Sequence, residues 1–123
     1  MALLLDSAVV IDCLRGNSKA SAFFAALPAK PSISVLTLSE IYAGVRNRRE
    51  EDDAAKFWPL VKILPATDEI AKRAGVFVRL YRPSHSIEVP DAIIAATAEH
   101  HGLKLATLNV RHFPMFPKLK PAY

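Results

Sequence analysis

Three carboxylates and one amide in this chain have the chemistry to hold a hard divalent cation: Asp6, Glu40, Asp91 and Asn109. Mg²⁺ and Mn²⁺ take oxygen ligands, commonly one or two carboxylates completed by waters and substrate phosphates. Held beside a phosphodiester, such a cation makes a water nucleophilic and stabilises the leaving oxygen. Carboxylates gathered without a cation repel one another, so a cluster of them argues for one. The four residues are far apart in sequence and fit no local motif. Only a fold that returns repeatedly to one edge can assemble them.

The predicted elements make such returns. Leu3-Leu4-Leu5 reads as a short apolar strand ending in Asp6. Ser7 is expected to cap a helix from Ala8 to Arg15, stopped by Gly16. Asn17 or Ser18 caps a second helix, which ends before Pro28. A second strand runs from Ser32 to Val35. Thr37 then opens a helix with Glu40 three residues on, a T-x-x-E capping box. Arg48 to Asp53 reads as a charged connection into a helix that Pro59 ends. Val61 to Leu64 is a third strand. Thr67 or Asp68 caps the next helix, which Pro83 ends.

The stretch Pro90 to Asn109 is the most legible. Ala92 to Ala98 form a helix apolar nearly all round, which belongs inside a domain. Asp91 sits in its first turn and Gly102 stops it. The strand Lys104 to Thr107 follows, with Asn109 just beyond. Helix and strand run antiparallel, so Asp91 and Asn109 return to one edge. The tail after Asn109 is broken by prolines and is expected to pack over the sheet edge.

Strands alternating with helices predict an α/β fold, a parallel sheet of four or five strands with helices on both faces. Such sheets bind ligands beyond the carboxyl ends of their strands. Topology sends Asp6, Glu40, Asp91 and Asn109 to that edge, with Ser7 and Thr107 beside them as supporting hydroxyls. Each has a plainer role available. Asp6 and Asn109 suit turns, Glu40 its capping box, and Asp91 the helix dipole. The plainer account needs all four to hold at once. Asp12 is expected to pair with Arg15 one turn on. His100 and His101 diverge on a helix and read as cations at its C-terminus rather than zinc ligands. His85 and His112 have no support as ligands. Trp58, Phe57 and the Phe23-Phe24 pair read as core.

At 123 residues and 51% hydrophobic, the chain suits one domain over residues 1–123 with a sizeable core. It has no apolar run long enough to span a membrane. The N-terminal MALLLDSAVVI lacks a basic start and reads as a strand, not a signal peptide. The single cysteine, Cys13, reads as a buried filler in a reducing cytoplasm. The net charge is +4, with a pI near 9.4, which permits an anionic partner. With the three acids assigned to a site, the remainder carries about +7. Arg15, Arg46, Arg48, Arg49 and Arg111 are the candidates to track a polyanion.

Three segments, LLLDSAVVIDCLRGN, ISVLTLSEIYAGV and DAIIAATAEHHGLKLATLNVRHF, occur in that order. Together they resemble the PIN domain of VapC-type toxins from bacterial toxin–antitoxin pairs, over nearly the whole chain. The resemblance implies a PIN-like three-layer fold and a Mg²⁺- or Mn²⁺-dependent endoribonuclease. It also implies a homodimer, held inactive by a small VapB-type antitoxin. The family's acidic cluster carries over to Asp6, Glu40 and Asp91, with the fourth position on Asn109. Many members carry Asp there; Asn keeps an oxygen and loses a charge. Two other readings compete. One is a catalytically inactive PIN fold used for binding. The other is a receiver-like Mg²⁺-binding domain, which wants an acidic pair after the first strand and a Lys after the last. Here Asp6 stands alone and Asn109 occupies the place of the Lys.

Overall fold

Residues 2–123 are described by a computed structural model. Four strands form one parallel sheet: β1 (Leu3–Leu5), β2 (Ser32–Ser34), β3 (Lys62–Leu64) and β4 (Lys104–Ala106). Their order is β3-β2-β1-β4. Six helices alternate with them: α1 (Ser7–Leu14), α2 (Ser18–Ala25), α3 (Val35–Ala43), α4 (Arg48–Phe57), α5 (Asp68–His85) and α6 (Val89–His101). The expected parallel sheet with flanking helices is therefore present, with four strands. A receiver-like domain would follow the flavodoxin-like order, with β1 between β2 and β3. The observed order rules that reading out.

The inner strands β1 and β2 are short but largely buried on both faces, whereas the edge strand β3 is mostly exposed. Alternation along β1 sends Leu4 to one side and Leu5 to the other. Leu4 joins a cluster with Leu105, Phe77 of α5 and the α6 residues Ala92, Ile94, Ala95, Ala96 and Ala98. Leu5 joins Val9 and Val10 of α1, Ile41 of α3, and Ala54 and Phe57 of α4. Helices α5 and α6 thus cover one face and α1, α3 and α4 the other. The chain moves outward from β1 to β2 to β3, then returns across β1 to β4. That reversal places the topological switch point at the carboxyl ends of β1 and β4, where sheets of this kind bind ligands.

Several local expectations are corrected. Asp6, not Ser7, caps α1, because its Oδ1 accepts the Ser7 N–H at 2.8 Å. Ser34, not Thr37, caps α3, its hydroxyl accepting the Leu36 N–H. Thr37 is fully buried inside the helix, so Glu40 completes no capping box. Arg48 to Asp53 is not a connection but the start of α4, with Asn47 as cap and Glu50 and Glu51 favourably placed in the first turn. Pro83 does not end α5. It sits in the last turn, where it forgoes one backbone hydrogen bond without ending the helix. The helix runs on to His85 and stops at Ser86, which takes the left-handed conformation at φ 51°.

The tail packs along the β4 edge, as expected. The Ala122 N–H bonds the Thr107 carbonyl at 2.9 Å. The Tyr123 hydroxyl donates to Asp12, which therefore does not pair with Arg15. The Tyr123 ring lies 5.7 Å from that of Phe23. Cys13 is half-buried, and burial pushes its thiol up, away from the reactive thiolate. Among the described residues no helix is long and apolar enough to cross a membrane.

Candidate active site

The site begins where β1 ends. The Asp6 N–H bonds the Ala106 carbonyl at 2.9 Å, extending the pairing of β1 with β4 by one rung. The chain then turns into α1 and leaves the Asp6 carboxylate between the two strand ends, 4% exposed. Oδ1 is taken by the cap bond. Oδ2 accepts the Thr107 hydroxyl at 2.7 Å. The Thr107 oxygen in turn accepts the Asn109 N–H at 3.0 Å.

A second arm runs toward α3. The Ser7 hydroxyl donates to Glu40 Oε1 at 2.7 Å and lies 3.0 Å from Thr37 Oγ1. Ser7 has one hydroxyl proton and gives it to Glu40, so Thr37 is the donor to Ser7. Asn109, Thr107, Asp6, Ser7 and Glu40 thereby form one hydrogen-bonded string across β4, β1, α1 and α3.

Asp91 enters from above, in the first turn of α6. Its Oδ2 is 3.1 Å from His112 Nδ1. Burial pushes the Asp91 carboxyl up, the His112 ring pulls it back, and the charges of Glu40 and Glu88 push it up again. Burial also pushes the Asp6 carboxyl up. The hydrogen bonds from Thr107 and Ser7 oppose this, and the Asp91 charge adds to it. Asp91 is thus electrically coupled to both Asp6 and Glu40.

The string and its electrostatics bring together Asp6, Ser7, Glu40, Asp91 and Thr107. Asn109 joins through its backbone. Its side chain is exposed and makes no hydrogen bond among the described residues. The arginines are scattered. Arg46 forks onto Glu50 at 2.7 Å, and Arg48 stands 4.0 Å from Asp52. Arg15 lines a groove with Arg46 over Ile11, Leu14 and Ile41. Arg49 and Arg111 are exposed.

Residues 3–118 match the family model of the PIN domain. Ribonuclease VapC10 of Mycobacterium tuberculosis is 42% identical over 127 residues, covering 98% of this chain and 92% of its own. The chain belongs to the PIN-domain family, in its VapC branch. Ribonuclease VapC19 of the same organism is 40% identical, covering 98% of both chains. Among solved structures, a toxin–antitoxin complex from Klebsiella pneumoniae superposes on this PIN domain with a TM-score of 0.83 at 29% identity, covering 98% of each chain.

The donor set of this PIN domain suits a hard cation. It consists of carboxylate oxygens, and burial with mutual repulsion already raises Asp6 and Asp91. Among the described residues no three such side chains yet converge on one point. Glu40 is exposed, and its one side-chain partner among the described residues is Ser7. Two site residues were missed from sequence. Thr37 lies one turn before Glu40 on the same helix face, and that spacing could have found it. Nothing in the sequence aims His112 at Asp91.

Proposed function

We propose that this chain is the toxin of a toxin–antitoxin pair and hydrolyses RNA phosphodiesters with Mg²⁺ or Mn²⁺ at the carboxyl edge of its sheet. The observation that carries the reading is the buried Asp6 carboxylate at the β1–β4 switch point, coupled to Asp91 and stringed by hydrogen bonds to Glu40. The relatives named ribonuclease support RNA as the substrate class. The likeness to a toxin–antitoxin complex supports a VapB-type antitoxin as the partner. A homodimer and a cytoplasmic location follow from the same reading.

Asp6, Glu40 and Asp91 would hold the cation, with Asn109 near the outer limit of the site. The bound cation supplies a water acidic enough to attack at neutral pH and a positive charge for the leaving oxygen. The chain's own residues prepare the carboxylates. Thr107 and the Ser7 N–H fix Asp6 by one bond on each oxygen, which leaves the second lone pair of each available. Ser7 turns Glu40 inward and Thr37 sets the Ser7 hydroxyl. In the reaction, water adds to phosphorus, the bond to O3′ breaks and O3′ takes a proton. The products are a 5′-phosphate and a 3′-hydroxyl. Exposed arginines such as Arg15, Arg49 and Arg111 would steer the backbone, with a steep dependence on salt.

The test is cleavage of structured RNA by purified protein with Mg²⁺, with chelator, and after Mn²⁺ is added back. Chelator-resistant cleavage or 2′,3′-cyclic phosphate ends would overturn the mechanism. Intact RNA under every condition would favour a PIN fold used only for binding.

A further inference from the structure

We infer that His112 is a positioning residue for Asp91, its Nδ1–H holding that carboxylate in the orientation the cation site needs. The inference rests on the proposed function and adds a residue to it.

The three carboxylates are steered unequally. Asp6 has two protein donors and Glu40 has Ser7. Asp91 has one side-chain partner among the described residues, His112 Nδ1 at 3.1 Å. An ionised carboxylate only accepts, so Nδ1 carries the hydrogen whether the ring is neutral or charged. The contact therefore needs only the hydrogen on Nδ1, which either charge state of the ring can supply.

The ring is aimed by backbone rather than by its own burial. Its side chain is 54% exposed, against 24% for Asp91. It closes a 3₁₀ turn, Val110–His112, whose last N–H bonds the Asn109 carbonyl at 3.0 Å. The next residue, Phe113, is fully buried in the cluster shared by α5 and α6. Phe113 thus pins the turn to the layer that carries Asp91. A surface side chain in a chance ion pair would have no such anchor. Hydrogen bonds to ligating carboxylates from outside the ligand set are known to tune metal affinity about 10–100-fold.

Asn can place its amide nitrogen where His has Nδ1, whereas Gln reaches the position of Nε2. The test therefore compares H112A, H112N, H112Q and D91N. Mn²⁺ binding is measured by calorimetry without RNA, and kcat and KM are measured separately on RNA. H112A and H112Q should bind Mn²⁺ about tenfold more weakly and lose kcat with KM little changed. H112N should recover most of both. Mn²⁺ affinity in H112A equal to the parent overturns the inference, as does H112N no better than H112Q. A raised KM with intact kcat also overturns it, in favour of direct RNA contact. Should H112A fold poorly, the H112N and H112Q pair decides. Mn²⁺ binding unchanged in D91N as well as H112A brings down the site reading itself. A loss confined to D91N brings down only the role of His112.

Discussion

The carboxyl edge of the sheet and the α5–α6 layer both bury side chains, yet they are assembled differently. At the edge the buried side chains are Asp6, Ser7, Thr37 and Thr107, each with a named hydrogen-bond partner. No buried side-chain polar atom among the described residues lacks one. In the layer the buried apolar residues of α6 are Ala92, Ile94, Ala95, Ala96 and Ala98. Its one hydroxyl, Thr97, bonds back to the Ile93 carbonyl at 2.7 Å and stays out of the packing problem. The edge is specified by direction, since each donor must meet its acceptor. The layer is specified by volume, since small residues let α6 press against the sheet and α5. Substitutions at the edge should therefore disturb chemistry first, and substitutions in the layer stability first.

The sharpest break of that contrast is Asp91→Asn. It keeps an oxygen for His112 and removes a charge, so RNA cleavage should fall by orders of magnitude while circular dichroism is unchanged and cation-free melting at neutral pH is no lower than the parent's. Full activity would detach Asp91 from the site. The converse substitution is Ala95→Leu, which overpacks the layer. It should cost about 1–3 kcal/mol, read in urea melts, with the activity of the folded fraction preserved. A loss of activity without a loss of stability would show that the two regions are not separable.

Thr107→Val tests the border between them. It removes a donor from Asp6 and the acceptor for the Asn109 N–H. A cost of about 1–3 kcal/mol is expected, together with a clear drop in activity, so this one position should fail both ways.

The smaller effect is on pH. Asp6 and Asp91 are both pushed up from 3.8, first by burial. The folded state then holds those protons more tightly than the unfolded chain. Their ionisation costs stability, and that cost is fully present above the raised values and gone below 3.8. Without divalent cation, melting temperature should rise as pH falls through the raised values toward 3.8. Asp91→Asn should flatten the rise. Saturating Mg²⁺ should remove it, because a bound cation stabilises the folded state at neutral pH. A cation-free protein most stable at neutral pH would contradict the picture of two strained carboxyls.

The layer was readable from sequence and the edge only in outline. Ala92 to Ala98, with Asp91 before and Gly102 after, announce a buried helix and its ends, because burial and capping leave marks within a few residues. The strand ends were likewise visible, and with them the positions of Asp6 and Thr107. What was not legible was which hydroxyl serves which carboxylate. Ser7 and Thr37 read as caps because both suit that role locally, and the contact that reassigns them joins residues 30 positions apart. The helicity of Arg48 to Asp53 was hidden by its charge, since α4 buries only Ala54 and Phe57. His112 carried no periodic or capping signal, and its partner is 21 positions away.

Ala122 and Tyr123 have a bearing on how the protein behaves in a crowded solution. A parallel sheet of four strands exposes an unpaired backbone at each end, and such margins invite strands from other molecules. On the β4 side the Ala122 N–H already occupies the Thr107 carbonyl, and Tyr123 is fastened to Asp12 and Phe23. The tail thus covers the chain just beyond the end of β4, like a selvedge stitched at one point. Because this segment bonds the same Thr107 whose hydroxyl donates to Asp6, loosening it should loosen the Asp6 carboxylate as well.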